Sequence, residues 1–273
     1  MMNPEKIAFI GGGNMATSLV GGVLQQGYPP AQLAISEPDL TKHPSLQALG
    51  VSLFTNNTSA IVDADVLILA VKPAQIKTVA QQIAPQLPAQ PPLIISIAAG
   101  IRTTTLQQWL GQNSPIVRAM PNTPALINVG ATGLFANAAV SPSQKALASR
   151  ILQAVGLTVW VNDEAQMDAV TALSGSGPAY FFLFMEFLEQ QATALGLSAE
   201  TSHQLALQTA LGAAQMAHSS PHSLTTLRQQ VTSPGGTTER AVQTLIQGGF
   251  EALIAQALQA AYQRAIELGM ESV

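Results

Sequence analysis

KIAFIGGGNMA, at residues 6–16, is the stretch that decides the fold of the first half of the chain. Residues 6–11 form a short apolar run that ends in glycine, as a buried strand does before a tight turn. The turn fits the spacing G-x-G-x-x-A, in which Gly11 permits the turn and Gly13 lets the backbone approach a pyrophosphate. Ala16 is small enough for the following helix to pack against the strand, and the amino end of that helix attracts phosphate. The stretch therefore predicts a dinucleotide-binding site.

Short apolar runs of the same kind recur through the first half of the chain. They lack the polar alternation of half-exposed strands, which favours parallel strands buried on both faces. Helix-forming segments at residues 16–26 and 74–83 separate some of these runs, so the alternation predicts a doubly wound α/β sheet. The predicted strands after the first are residues 33–36, 51–54, 65–71, 93–98 and 115–119, with 133–136 and 157–161 as further strands closing the sheet.

The sequence changes character after about residue 163. Stretches rich in Ala, Leu and Gln dominate, which are good helix formers, and no convincing strand follows Met167. Glycine and proline at Gly196, Pro221 and residues 233–236 separate the predicted helices. These helices are residues 179–195, 199–218, 238–248 and 250–268. We therefore predict an α/β, dinucleotide-binding domain at residues 1–163 and an all-helical domain at residues 164–273.

The composition is apolar and unusually poor in charge. Hydrophobic residues make up 47% of the 273 residues, which excludes an intrinsically disordered chain. Charged residues make up only 10%, well below the usual quarter. Two interpretations stay open at this point. Much of the exterior is buried against a partner subunit, or the surface uses Gln, Ser, Thr and Asn in place of charge.

The charge balance and the cysteine count exclude several function classes. A net charge of −4 with 11 basic residues provides no basic patch for nucleic acid. The chain has no cysteine, hence no disulfide, thiolate nucleophile or cysteine metal site. The opening MMNPEK does not have the form of a signal peptide, and the most apolar later stretch, residues 179–188, is too short to cross a membrane. We therefore expect a cytoplasmic protein that binds neither nucleic acid nor membrane.

Glu37 follows the second predicted strand, 24 residues after Gly13. An acid near that position usually binds the 2′-hydroxyl of the adenosine ribose, which favours NAD. The alternative interpretation is a solvated charge that Pro38 directs outward. Lys42 is the nearby cation for a 2′-phosphate.

Three later turns also fall where a cofactor would lie. In a doubly wound sheet the carboxyl ends of the strands line the ligand crevice. VKP at residues 71–73, SIAAG at 96–100 and MPNT at 120–123 each follow a predicted strand. With the glycine-rich turn they predict one continuous site.

Two segments of the second half are longer and more specific than the glycine-rich turn. They are DAVTALSGSGPAY at residues 168–180 and VTSPGGTT at residues 231–238. With them, the whole chain resembles the pyrroline-5-carboxylate reductase family. The resemblance implies an N-terminal Rossmann-type domain and a C-terminal all-α dimerisation domain that intertwines with its partner, with rings of dimers in some members. It also implies NAD(P)H-dependent reduction of 1-pyrroline-5-carboxylate to L-proline, the last step of proline biosynthesis.

The resemblance assigns site residues by position. Family members usually prefer NADPH, so NADP(H) is the expected cofactor, with NAD(H) possible. Ser36 matches a residue near the 2′-phosphate, whereas Glu37 departs from the small or basic residues common beside it. Glu164, Thr237 and Thr238 match substrate contacts. The expected cofactor contacts are Ile10, Gly11, Gly12, Gly13, Asn14, Met15, Ser36, Glu37, Asn57, Ala70, Val71, Lys72, Pro73, Ile97, Ala98 and Ala99.

The implied reaction asks little of acid–base side chains, because the cofactor supplies the hydride and the protein orients the reactants. Thr238 is the candidate catalytic residue, with its hydroxyl bonded to the imine nitrogen. Ser233, Gly236 and Thr237 lie in the same turn, whose N–H groups would hold the substrate carboxylate without an arginine. The alternative is an ordinary turn in which Thr237 or Thr238 caps the next helix.

The other ionisable residues suggest no second centre. The four histidines lie outside these segments, so we do not expect a histidine general base. Asp163, Glu164 and Asp168 form an acidic group, but no histidine is close in sequence and hydride transfer needs no metal. No metal is therefore expected. The histidines are His43, His203, His218 and His222.

Two other functions compete with the imine reductase. A 6-phosphogluconate-like or hydroxy-acid dehydrogenase has the same plan, but carbonyl chemistry needs a lysine or a similar acid–base group, and the helical half has no lysine. A non-catalytic dinucleotide sensor would use the helical half for assembly alone. The substrate segments at residues 174–180 and 233–238 count against it, because a sensor needs no substrate pocket.

Overall fold

The computed structural model describes residues 4–42 and 44–271. Within them, eight strands form one sheet in the order β3-β2-β1-β4-β5-β6-β7-β8. Strands β1 to β6 all run parallel to one another, β7 runs antiparallel to β6, and β8 is parallel to β7. The strands are β1 (Ile7–Ile10), β2 (Leu33–Ser36), β3 (Ser52–Phe54), β4 (Val66–Leu69), β5 (Leu93–Ser96), β6 (Ile116–Met120), β7 (Gly130–Ala136) and β8 (Gly156–Trp160).

Helices cover both faces of this sheet, which confirms the predicted doubly wound fold. In β1, Ile7 and Phe9 belong to the core that includes α1 and α6, while Ala8 and Ile10 belong to the core with α4 and α5. This alternation follows from the two-residue period of a strand. The helices of the first half are α1 (Asn14–Gln25), α2 (Pro44–Gln47), α3 (Asn57–Ala60), α4 (Pro73–Ile83), α5 (Thr103–Leu110), α6 (Pro142–Gln153) and α7 (Gln166–Val170).

The last two strands complete one edge of the sheet, and β7 is longer than the sequence predicted. It begins at Gly130, three residues before the predicted start, and the Gly130 amide donates to the Val155 carbonyl at 2.9 Å. The first three residues of β7 are Gly, Ala and Thr, which give no apolar run for a sequence pattern to detect. Strand pairing, and not local sequence, therefore sets this boundary.

The rest of the described chain is helical, as predicted. A single π-helical turn, Thr171–Gly175, precedes α8. Ser198 and Ser223 cap α9 and α10 by accepting bonds from the amides of Thr201 and Thr226. The sequence did not predict α10, because its seven residues, LTTLRQQ, are short and lack an apolar period. The helices are α8 (Gly177–Ala194), α9 (Ala199–Ser219), α10 (Leu224–Gln230), α11 (Thr237–Gln247) and α12 (Phe250–Glu271).

Helix α8 exposes apolar side chains around much of its surface. Phe181 is 70% exposed, and the charged residues of α8 are Glu186 and Glu189 alone. An apolar surface of this size on a single chain is typical of association with another protein. The charge-poor composition therefore fits a buried interface better than a polar solvent surface. The exposed residues of α8 are Phe181, Phe182, Leu183, Phe184, Phe187 and Leu188.

None of the helices within residues 4–42 and 44–271 combines the length and the apolar character that crossing a bilayer requires.

The described chain divides into two compact units, residues 4–176 with 261–271, and residues 177–260. The first unit extends past residue 163 because Val170 packs on Gly133 and Gly175 packs on Met120. It also includes the end of α12, where Leu268 packs against Gly100. These compact units differ from the domains predicted at residues 1–163 and 164–273, and that division stays a prediction.

Two adjacent glycines of α1 provide a test of this packing. A Cβ on Gly22 would lie 2.6 Å from the Ala154 carbonyl oxygen, whereas a Cβ on Gly21 would have nothing within 4 Å. We expect Gly22→Ala to destabilise the fold by about 1–3 kcal/mol through overpacking. Gly21→Ala should stabilise it by roughly 0.5–1 kcal/mol through helix propensity. Urea unfolding of both variants at one protein concentration measures the difference, and equal stabilities would contradict the close contact.

Candidate active site

The glycine-rich turn is held between three strands. The Gly11 amide donates to the Ser36 carbonyl at 2.8 Å, and the Ala70 amide donates to the Ile10 carbonyl at 2.8 Å. Gly11 has φ +102°, and a Cβ there would lie 2.7 Å from the Ala70 oxygen. Only glycine fits this position without strain.

Gly13 has the opposite surroundings, because a Cβ there would meet nothing within 4 Å. It is the N-cap of α1, where no side chain caps the helix and no acid lies in the first turn. Asn14 is exposed at the helix start, and Met15 packs partly on the core. The free amino end of a twelve-residue helix, approached over an open glycine, fits a pyrophosphate.

The end of β2 brings together the three residues expected at the adenosine end of the cofactor. Ser36 is buried, and its hydroxyl donates to the Asn57 amide oxygen at 2.7 Å. Asn57 in turn donates to Gln82 at 2.8 Å. The Glu37 carboxylate accepts from the Gly12 amide at 3.0 Å. Lys42, the other candidate here, has a side chain outside the described part of the molecule.

The turns after β4 and β5 lie at the same edge of the sheet, because these strands are parallel to β1. Val71 is partly buried, Lys72 is exposed, and Pro73 begins α4. The Ile97 amide donates to the Leu69 carbonyl at 3.1 Å. Ala98 is buried and Ala99 half-buried. The register therefore places the predicted cofactor residues at the carboxyl ends of neighbouring strands.

The acidic residues Asp163, Glu164 and Asp168 differ in burial and in hydrogen-bond partners. Asp163 is exposed and accepts from the Ala165 amide at 2.9 Å. The two Glu164 oxygens accept from the Thr103 amide at 2.7 Å and the Thr103 hydroxyl at 2.8 Å. Glu164 thereby holds the start of α5, where the N-cap Arg102 supplies no capping side chain. Its carboxylate is thus engaged within this unit, and its role as a substrate contact stays a prediction.

Asp168 joins Glu164 in a buried ionic network that sequence reasoning missed. Arg118, only 3% exposed, lies 3.5 Å from Glu164 and 3.3 Å from Asp168. Arg102 reaches the other Asp168 oxygen at 3.1 Å. A signal was present, because an arginine within the apolar strand IVRAM needs a buried counter-ion. Among the described residues, no group of three or more acids, histidines or cysteines is arranged to hold a metal ion.

The turn before α11 lies within the second unit. Gly235 has φ +71°, and its amide donates to the Glu239 carboxylate at 2.8 Å. The N-cap of α11 is Gly236, so the alternative of a threonine N-cap is wrong. Thr237 is exposed and Thr238 half-buried in the first helical turn. Because α11 begins without a side-chain cap, its first N–H groups point to the turn that contains Ser233.

The histidines lie outside the segments at residues 168–180 and 231–238. His203 in α9 has its Nδ1 2.9 Å from a Glu189 oxygen of α8, and both side chains are exposed. His218 is in the last turn of α9. His43 lies outside the described residues.

Comparison with known proteins covers both units. A family model described as pyrroline-5-carboxylate reductase dimerisation matches residues 164–268. A model described as NADP oxidoreductase, coenzyme F420-dependent, matches residues 6–100. The chain is 53% identical to a pyrroline-5-carboxylate reductase of Pseudomonas aeruginosa over 268 residues, which cover 98% of each chain.

Solved structures agree with the sequence comparison. A pyrroline-5-carboxylate reductase from Coxiella burnetii superposes with a TM-score of 0.94 at 48% identity, covering 97% of this chain and 99% of that one. The Plasmodium falciparum pyrroline carboxylate reductase with NADP bound gives a TM-score of 0.87 at 30% identity, covering 98% and 100%.

Gly13→Val tests the dinucleotide site without disturbing the core. We expect cofactor binding to be lost, because the side chain fills the space through which the backbone approaches the pyrophosphate. Stability should fall by less than about 1 kcal/mol, since valine is a poorer N-cap but meets no neighbour. Calorimetric titration with NADPH and NADH, beside a thermal melt, measures both. Normal binding would show that the turn is misinterpreted.

Arg118→Met tests the buried ionic network. We expect a loss of roughly 3 kcal/mol, because Asp168 and Glu164 lose a buried counter-charge. The matched control is Arg150→Met, whose partner Glu5 is solvated; this pair should be worth about 0–1 kcal/mol. Denaturant unfolding compares the two variants, and similar losses would mean that the network contributes no more than a surface pair.

Proposed function

The chain belongs to the pyrroline-5-carboxylate reductase family, and we propose that the residues described above carry that family's reaction. The protein is an oxidoreductase that reduces the C=N bond of 1-pyrroline-5-carboxylate with NAD(P)H to give L-proline. The observation that carries this conclusion is 53% identity extending over 98% of both chains. This identity spans the glycine-rich turn and the segments at residues 168–180 and 231–238. Likeness of fold alone would not establish the reaction.

The glycine-rich turn binds the cofactor's pyrophosphate. Gly11 fixes the turn, Gly13 keeps the approach open, and the amino end of α1 provides N–H groups and a partial positive charge. When bound, the nicotinamide supplies the hydride that adds to the imine carbon. The residues after β4 and β5 lie at the carboxyl end of the sheet, beside the glycine-rich turn, and orient the cofactor.

The turn from Ser233 to Thr238 binds the substrate. The N–H groups at the start of α11 hold the carboxylate, assisted by the Ser233 hydroxyl. In the structure the Gly235 amide donates to the Glu239 carboxylate, so the substrate carboxylate uses the N–H groups at the start of α11 and not this amide.

Thr238 bonds to the imine nitrogen through its hydroxyl. This role is supported by the position of Thr238 in the first turn of α11, whose N–H groups we assign to the substrate carboxylate. With the ring nitrogen already protonated, hydride addition at carbon would move the electron pair of the C=N bond onto nitrogen, which would keep its proton as the amine N–H. A hydrogen bond to nitrogen keeps the imine polarised during this step.

Both nicotinamide cofactors fit the glycine-rich turn, which contacts only their shared pyrophosphate. The sequence resemblance predicts NADPH first and NADH second, and a relative from Plasmodium falciparum was solved with NADP bound. The adenosine ribose is where the two cofactors differ, so the residues after β2 decide between them.

The protein associates with itself through the helical domain. Residues 164–268 match a dimerisation model, and α8 exposes six large apolar side chains. We propose a homodimer formed through this surface, and rings of dimers as the larger assembly. Cytoplasmic location stays an expectation from the sequence.

Thr238→Ala tests the role of the hydroxyl. We expect turnover to fall about 10- to 100-fold, the effect of removing one hydrogen bond made in the transition state. Cofactor affinity should stay near the wild-type value. Rates are followed as loss of reduced nicotinamide absorbance with 1-pyrroline-5-carboxylate, and proline is measured as product.

The control for that variant is Thr244→Val, in the same helix, where the hydroxyl donates to the Arg240 carbonyl. It should leave turnover unchanged. Thr238→Ser should recover most of the activity because it restores the hydroxyl. Full activity in Thr238→Ala would remove Thr238 from the mechanism, and absence of any proline formation by the wild type would overturn the proposed reaction.

A further inference from the structure

A carboxylate is fixed beside the glycine-rich turn, at the end of β2. Glu37 Oε2 accepts from the Gly12 amide at 3.0 Å, and Oε1 accepts from the Asp39 amide at 3.3 Å. The Glu37 Cβ and Cγ lie 3.1 and 3.3 Å from where a Cβ on Gly12 would stand. Two backbone amides and this close packing hold the side chain over the turn, so Pro38 does not direct it outward.

The resemblance places Ser36 near a 2′-phosphate, but its hydroxyl donates to another residue. Its exposed fraction is 0%, and its hydroxyl hydrogen is donated to Asn57 at 2.7 Å. The end of β2 therefore presents a carboxylate and a buried hydroxyl, the reverse of what a phosphate group needs.

We propose that Glu37 makes this protein select NADH over NADPH. The inference rests on the proposed function, because it concerns the cofactor of that reaction. In dinucleotide-binding sheets an acid at the end of the second strand accepts a hydrogen bond from the ribose 2′-hydroxyl of NADH. NADPH brings a phosphate of about −1.5 to −2 charges to the same position. This preference reverses the one that the resemblance implies.

The size of the effect follows from like charges at short range. A carboxylate and a phosphate a few ångströms apart repel each other, and the carboxylate also loses its hydrogen-bond donor. Together these effects weaken NADPH binding relative to NADH by about tenfold or more. Since the repulsion is electrostatic and partly exposed to solvent, added salt should reduce it.

The experiment measures binding without reaction. Dissociation constants of NADH and NADPH are determined by isothermal titration calorimetry in the absence of 1-pyrroline-5-carboxylate, at low and high sodium chloride. The variants are Glu37→Gln, which keeps the shape and an acceptor oxygen for the Gly12 amide, and Glu37→Ser, which removes the charge together with the carboxyl group. Thermal melts verify that each variant folds.

Asp63→Asn is the matched control. It removes the same charge at the opposite edge of the sheet, since Asp63 precedes β4 whereas Glu37 follows β2. Asp63 is exposed and has φ +56°, a conformation that asparagine tolerates.

We expect the wild type to bind NADH about tenfold or more tightly than NADPH, with a smaller ratio at high salt. Glu37→Gln should bring the ratio close to one, chiefly by tightening NADPH binding, and Asp63→Asn should leave it unchanged. Equal or tighter binding of NADPH by the wild type would overturn the inference, as would an unchanged ratio in Glu37→Gln. The expected ratio in a protein that forms no proline would support this inference and overturn the proposed reaction instead.

Discussion

The structure of the first unit depends on one close approach, that of the Gly11 backbone to the ends of β2 and β4. The amide of Gly11 bonds to Ser36, and the space for a side chain is taken by the Ala70 carbonyl. This contact brings three strand ends together at a single edge. The same turn starts α1, whose amino end then points over that edge. A site for phosphate thus follows from packing that a Cβ would prevent.

Most of the fold could be predicted from the sequence, because buried parallel strands and apolar helices leave strong periodic signals. The strands, the long helices and the glycine-rich turn all belong to this class. What could not be predicted either depends on contacts distant in sequence or is too short to show a period. The start of β7 at Gly130 is set by pairing, and α10 is too short and polar to show a period. The extension of the first unit to residue 176 rests on the contact of Val170 with Gly133.

The candidate site shows the same division. Residue types and spacing predicted the glycine-rich turn and Glu37, and the family resemblance predicted the turn before α11, but neither predicted the partners of each side chain. Ser36 is buried against Asn57, and Glu164 holds the start of α5 together with Thr103. Arg118 was overlooked, although it is a charge in an apolar strand. Burying a charge costs desolvation free energy, so a buried ionic network is stable only when every charge in it is paired.

The contact between Leu268 and Gly100 forms late, because of the order in which the chain is synthesised. The first unit contains residues up to 176, but its last segment, residues 261–271, comes off the ribosome only after the whole second unit. At about 5–20 residues per second, the intervening 177–260 segment delays that contact by several seconds. During synthesis the nascent sheet therefore presents the turn after β5 uncovered. The turn after β5 is covered only once residues 261–271 have been synthesised.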